Sequence, residues 1–267
     1  MGELISERIK RNARELKLYG LAETADELVD RAEAGKLGYR EFLDLVLESE
    51  VGVLEGRRYA SRLKLSGLPH HKTLDEFDGS FKPAIEKKQI FDLATGRFVR
   101  EARDVLSLGP PGVGKSFLVQ ALGYQALKAG FLVLYRSIFD VVRDFLHDEA
   151  LGGEDKVLAR YLKPDLLIVD DMGMKQLPKR SGEYLFEVIH RRYELRSTVM
   201  TSNRPLEDWG KALGDVPTAT AILDRFLHRA EIIAFNGRSY RLKDKAEKPT
   251  PAAKQGADKA CKTESNP

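Results

Sequence analysis

A chain of 267 residues, 42% hydrophobic and 32% charged, can bury one sizeable core and leave room for a smaller appendage. Its 44 Lys and Arg nearly balance 41 Asp and Glu, a formal net charge of +3, so the overall charge announces no nucleic-acid binding and any basic surface must be local. The single cysteine, Cys261, excludes a disulfide framework and a cysteine-based zinc site. No apolar run approaches the roughly 18 residues of a membrane helix. The charged start MGELISERIK lacks the apolar stretch of a signal peptide, so the expected compartment is the cytoplasm.

In chain order, the spacing of Ile5, Ile9, Ala13 and Leu16, and then of Leu21, Ala25, Leu28 and Ala32, predicts helix over residues 3–34. AGKLG (34–38) breaks it, and a second helix runs from Tyr39 to about Leu65 with Phe42, Leu45, Val46, Ser49 and Val53 on one side. SGLPHHKTLDEFDGSFKP (66–83) reads as a linker. From Asp104 the texture changes to short apolar runs: DVLSL (104–108), FLVLYRS (131–137), DLLIVDD (165–171), STVMTSN (197–203) and EIIAF (231–235). They are continuous rather than alternating, as in strands buried on both faces, and amphipathic segments separate them. The expectation is an α/β fold with a five-stranded parallel sheet behind a small all-helical N-terminal domain. The division is 1–68, 69–242 for linker and sheet domain, and 243–267 for a Lys-, Ala- and Pro-rich tail read as disordered.

Gly109–Ser116, GPPGVGKS, fits G-x-x-x-x-G-K-[ST] between a predicted strand and a predicted helix (Phe117 to about Lys128). Backbone N–H groups must wrap a triphosphate, and side chains at Gly112 and Gly114 would block that approach. The expected ATP-binding stretch is therefore Gly109, Pro110, Pro111, Gly112, Val113, Gly114, Lys115, Ser116 and Phe117. Lys115 would meet the β- and γ-phosphates and Ser116 would offer its hydroxyl to Mg²⁺. In LLIVDD (166–171) an apolar strand carries Asp170 to a position for Mg²⁺, with Asp171 where a general base could polarise water. Asn203, after STVMTS, could orient that water or touch the γ-phosphate, although Asn after a strand is also an ordinary turn residue. On spacing alone Arg225 reads as a solvated arginine beside a carboxylate.

These motifs together resemble the IstB-like helper ATPases of insertion-sequence transposons, in the DnaA/DnaC branch of the AAA+ ATPases. The resemblance spans about residues 5–242 and is carried by LKLYGLAETADEL, TLDEFD, GPPGVGKS, DLLIVDDMG, TSNRPLEDW, AILDRFLHRAEII and GRSYRL. It implies an AAA+ three-layer sandwich that stops without a full C-terminal lid, leaving Arg238 and Arg241 as the late arginines. It implies that Lys115 and Ser116 are the Walker A pair, Asp170 the Walker B metal ligand, Asp171 the catalytic carboxylate (one methylene shorter than the usual Glu), and Asn203 the sensor. It also turns Arg225 into an arginine finger acting on a neighbour's nucleotide, and so implies an ATP-dependent homo-oligomer.

The resemblance further implies duplex DNA and an element-encoded DDE-type transposase as partners. Candidate DNA contacts are Arg57, Arg58, Arg62 and Lys64, then Arg136, Arg143, Lys175, Lys179 and Arg180, with Lys10, Arg11, Arg14 and Lys17 as a further basic group. Each cluster reads equally as a solvated charged face. Two other classes compete: a DnaC-like replicative helicase loader, which shares the motor and differs in what its N-terminal domain grips, and a metabolic P-loop kinase, which should carry an acceptor pocket and a lid.

Overall fold

The computed structural model describes residues 4–69, 72–74, 76, 87–149 and 153–236. Most of the linker, the closing GRSYRL with Arg238 and Arg241, the question of a lid, and the tail with Cys261 lie outside the described residues.

The N-terminal pattern forms two helices rather than one: α1 (Ile5–Glu15) and α2 (Tyr19–Gly35). The break is at Lys17, whose φ of 61° is left-handed. Leu18 N–H donates to Ala13 O (2.8 Å) and Lys17 N–H to Arg14 O (3.0 Å), the paired bonds that close a helix end. Lys36, φ 49°, ends α2 with the same pair of bonds. The third helix, α3 (Tyr39–Ser66), starts where Gly38 N–H donates to Glu41 Oε2 (2.7 Å). Glu50 Oε2 ties it to α2 by accepting from Leu21 N–H (2.7 Å). The other end of α3 reaches the next layer, where Tyr59, Leu63 and the following Leu68 pack on the sheet core.

After α4 (Lys87–Ala94) and α5 (Arg97–Arg100), the chain alternates strand and helix: β1 (Asp104–Leu108), α6 (Lys115–Lys128), β2 (Val133–Ser137), α7 (Ile138–Glu149), α8 (Glu154–Leu162), β3 (Leu166–Met172), α9 (Ser181–Arg192) and β4 (Ser197–Ser202). A 3-10 turn (Leu206–Asp208), α10 (Trp209–Leu213), α11 (Val216–His228) and β5 (Ala230–Ala234) follow. The five strands are parallel in the order β2-β3-β4-β1-β5. Leu106 sits in register with Met200 on one side and Ile232 on the other, and Tyr135 with Ile168.

Successive strand residues face opposite layers. Val105, Val133, Ile168 and Val199 meet Leu118, Val119 and Leu122 of α6. Leu106, Leu134, Leu167, Val169 and Met200 meet Val141, Phe145, Leu185, Val188, Ile222 and Phe226 of α7, α9 and α11. Burying each such side chain contributes about 1.5–3 kcal/mol. The result is the three-layer α/β/α sandwich expected of a P-loop AAA+ domain. At the edge where β3 and β4 begin, the buried Arg192 donates to Tyr161 O (2.9 Å), Pro164 O (2.9 Å) and Ser197 O (2.5 Å) and staples the two strands. Burial pulls its guanidinium down to about 9. Among the described residues no helix is long and apolar enough to cross a membrane.

Candidate active site

The loop after β1 is fixed by its neighbours. Phe235 N–H donates to Leu108 O (2.7 Å) and Gly109 N–H to Ser202 O (3.2 Å), so the loop starts between the ends of β4 and β5. A Cβ on Gly109, φ 149°, would lie 2.3 Å from the Phe235 carbonyl oxygen, which leaves room only for glycine. Gly112 and Gly114 have φ of 78° and 95°, the turn that swings successive N–H groups to one side and makes an anion cradle. The 14-residue α6 begins at Lys115, adding the positive end of its dipole. Val113 is buried in the core and anchors the loop; Pro110 and Pro111 are exposed at its tip. Lys115 Nζ donates to Gly109 O (2.7 Å) and Pro110 O (2.8 Å), which hold the ammonium over the loop. Phe117 lies under Lys72, whose Nζ is 5.3 Å from the ring centroid.

Asp170, 1% exposed, has donors on both oxygens. Oδ1 accepts from Ser116 Oγ (3.0 Å), Asp171 N–H (2.9 Å) and Thr201 Oγ1; Oδ2 accepts from the Tyr135 hydroxyl (2.6 Å). Gln120 Nε2, one turn beyond Ser116 on α6, donates to the Tyr135 oxygen (3.3 Å). Burial and the Asp170 carboxylate raise the Tyr135 phenol above its ordinary value, so it remains a donor. Asp171 stands at a register shift between Val169 and Met172 with φ 65°. A bulge there turns its side chain out of the pleat, and Asp is among the few residues that tolerate that backbone. The two oxygen donors beside the cradle, Ser116 and Asp170, are the kind that Mg²⁺ takes together with phosphate.

Asn203 follows β4, its N–H donating to Met172 O (3.2 Å). The buried Trp209 fixes this corner, its Nε1 donating to Ser202 Oγ (3.2 Å) while that hydroxyl donates to Arg204 O (2.8 Å). The ends of β1, β3 and β4 thus bring Gly109, Asp170, Asp171 and Asn203 to one edge, where open α/β sheets place their ligands. Arg225 is not part of that gathering. It lies on α11, in the layer across the sheet from α6, and its contacts are His190 Nδ1 (3.1 Å), Ala221 O (3.2 Å) and the ring of Phe186 (5.1 Å to the centroid).

The basic candidates divide. Arg143 pairs with Asp140, Arg180 with Glu149 and Glu183, Arg136 with Asp144, and Lys10 with Asp26. Arg57 stacks 4.5 Å over Tyr19. Lys175, Lys179, Arg58 and Lys64 are exposed and form no ion pair among the described residues. Arg62 carries a buried Nε without a hydrogen-bond partner there. Sequence reasoning missed Tyr135, Gln120 and Thr201. Their one signal was a polar side chain near the end of an apolar run or one turn past Ser116.

A profile of IstB-like ATP binding proteins matches residues 11–248. The chain is 36% identical over 241 residues to the ATP-binding protein of insertion sequence IS5376 of Geobacillus stearothermophilus, covering 90% of this chain and 96% of that one. It is 37% identical over 230 residues to the ATP-binding protein of insertion sequence IS21 of Pseudomonas aeruginosa, covering 86% and 87%. Among solved structures, DnaA of Aquifex aeolicus bound to AMPPCP aligns with a TM-score of 0.54 at 21% identity, over 67% of this chain and 54% of that one. DnaI aligns at 0.51 and 22%, over 63% and 90%. The chain spans about half the length of the DnaA chains it matches, and at such identities the likeness is one of fold. The P-loop sandwich therefore has an AAA+-like fold, and the chain belongs to the IstB-like ATP binding proteins.

Proposed function

We propose that this protein is the ATP-dependent helper of an insertion sequence, assembling with ATP on duplex DNA and recruiting or activating the element's transposase. The observation that carries the reading is the separation of Arg225 from the phosphate loop. The phosphate loop, Ser116, Asp170, Asp171 and Asn203 lie at one edge of the sheet, while Arg225 is held over Phe186 and His190 in the opposite layer. A guanidinium there serves a neighbour's nucleotide better than its own, and a head-to-tail contact of that kind builds open helical or ring assemblies.

In this mechanism the loop amides and Lys115 hold the β- and γ-phosphates, and Ser116 and Asp170 hold Mg²⁺. Bound Mg²⁺ would neutralise charge developing on the phosphate oxygens. Asp171 takes the proton of the attacking water, Asn203 orients that water, and Arg225 of the neighbouring subunit stabilises the transferring phosphoryl group. Lys175, Lys179, Arg58 and Lys64 supply phosphate contacts that add up along the duplex as subunits assemble. Residues 1–68 are the partner-binding unit. Leu43, Leu47 and Val51, spaced by four on α3 and each more than half exposed, support that role. The insertion-sequence origin of the similar proteins favours a transposase as the partner.

Electron microscopy of the protein with duplex DNA and a non-hydrolysable ATP analogue tests the reading. Multi-subunit assemblies on duplex that vanish without nucleotide are expected. Single subunits on DNA in both conditions would overturn it, and assemblies only on single strands would point to a helicase loader.

A further inference from the structure

We infer that Tyr135, oriented by Gln120, is a positioning residue for the metal-binding carboxylate and sets the affinity of the nucleotide site for Mg²⁺. The inference rests on the assignment of Ser116 and Asp170 as the Mg²⁺-holding pair.

Three hydrogen bonds run in one direction. Gln120 Nε2 donates to the Tyr135 oxygen at 3.3 Å, and the Tyr135 hydroxyl donates to Asp170 Oδ2 at 2.6 Å. On the other oxygen, Ser116 Oγ donates to Oδ1 at 3.0 Å. Gln120 and Ser116 share one face of α6, four residues apart. Tyr135 stands on β2, which pairs with β3 and places Ser137 opposite Asp170. The phenol therefore crosses diagonally from the neighbouring strand. Because the amide nitrogen occupies a lone pair of the phenol oxygen, the phenol proton is left to point at the carboxylate.

The geometry does two things for a metal. Each carboxylate oxygen is pinned by a fixed donor, which removes the side-chain rotation a metal would otherwise have to freeze. Oδ2, which accepts from Tyr135, also keeps acceptor capacity for a cation, whereas Oδ1 is already taken by Ser116, Asp171 N–H and Thr201 Oγ1. Ser116 can donate its proton to Asp170 and still present an oxygen lone pair to a cation. Partners that orient a ligating carboxylate in this way change metal affinity by about 10–100-fold when removed. Tyr135 is half-buried at the rim of the core that includes Val133 and Ile168, so the ring alone accounts for packing; the hydroxyl is the part that needs another reason.

The test uses the full-length protein and a fluorescent ATP analogue. Analogue affinity is measured in EDTA and then as a function of added Mg²⁺, for the parent, Tyr135→Phe and Gln120→Met. Far-UV circular dichroism and the melting temperature check each fold. Tyr135→Phe is expected to raise the Mg²⁺ concentration at half-effect by about 10-fold while leaving the affinity in EDTA unchanged. Gln120→Met should shift it in the same direction by less, and Mn²⁺, which binds such sites more tightly, should restore saturation at lower concentration than Mg²⁺. Superimposable Mg²⁺ curves for parent and both variants would overturn the inference and leave the metal-site assignment standing. A parallel loss of affinity in EDTA would make Tyr135 a structural residue only. A parent with no Mg²⁺ dependence would remove the metal-site assignment itself, and the inference with it.

Discussion

Arg225 donates through Nε to Nδ1 of His190 at 3.1 Å, so in its own subunit the guanidinium is already oriented on α9. Phe186 supports it from below, and its ring stacks on His190 at 5.5 Å. A finger presented from a rigid shelf needs little ordering when a neighbour docks. Arg225→Ala is therefore expected to bind ATP as the parent does and to hydrolyse it on the order of a thousandfold more slowly. Mixed with Asp171→Asn it should recover part of the activity, since some interfaces then join an intact base to an intact finger. No recovery in proven mixed assemblies would place Arg225 outside the neighbour's site.

Asp171→Asn is the informative change at the other half of the proposed interface. With φ at 65°, most substitutions would strain the bulge, whereas Asn accepts this backbone and removes only the charge. ATP binding should persist and turnover fall by about 10²–10⁴-fold. Lys115→Ala should instead lose nucleotide binding itself, because the phosphates lose their main cationic partner. Wild-type turnover by Asp171→Asn would exclude it as the base.

A pH effect follows from Asp104 at the start of β1. Burial raises its carboxyl from 3.8 to about 7, against the pull of Thr198 N–H (2.6 Å) and the charges of Arg192 and Arg229. The folded protein thus holds a proton that the unfolded chain releases near pH 4. The stability this proton confers is complete below that pH and is lost as pH rises through 7. Between pH 5 and pH 8 denaturant melts should show a decline on the order of a few kcal/mol. Asp104→Asn, whose oxygen can still accept from Thr198, should flatten the decline and be the more stable form at pH 8. An unchanged slope in that variant would assign the effect elsewhere.

The parts that sequence conveyed share a physical cause. The strands were legible because burial on both faces writes continuous apolar runs such as LLIV, and the phosphate loop because its backbone demands glycine where φ is positive. The break at Lys17 was not, because a helix end closed by two backbone bonds can put Lys where Gly is usual. Tyr135 and Thr201 were hidden for another reason. Both residue types are ordinary in strands, and their meaning comes from sheet register: Thr201 lies beside Asp170 only because β4 pairs with β3, and Tyr135 only because β2 does. The basic clusters were visible as charge, and Asp140, three residues before Arg143 on one helix, was legible with them; the Glu149 partner of Arg180, 31 residues away, comes from packing that no periodicity reveals.

The most direct test of ATP-controlled assembly on DNA is the affinity for a labelled duplex across a salt series, with and without a non-hydrolysable ATP analogue, with the size of each complex read by sedimentation. With nucleotide, binding should be tight, multi-subunit and indifferent to sequence, and log affinity should fall linearly with log salt, with a slope that grows with the number of bound subunits. Exchanging Arg58 and Lys64 for Gln should lower that slope without changing nucleotide affinity. Equal duplex affinity with and without nucleotide, or tight binding by a species that sediments as a single subunit, would contradict it.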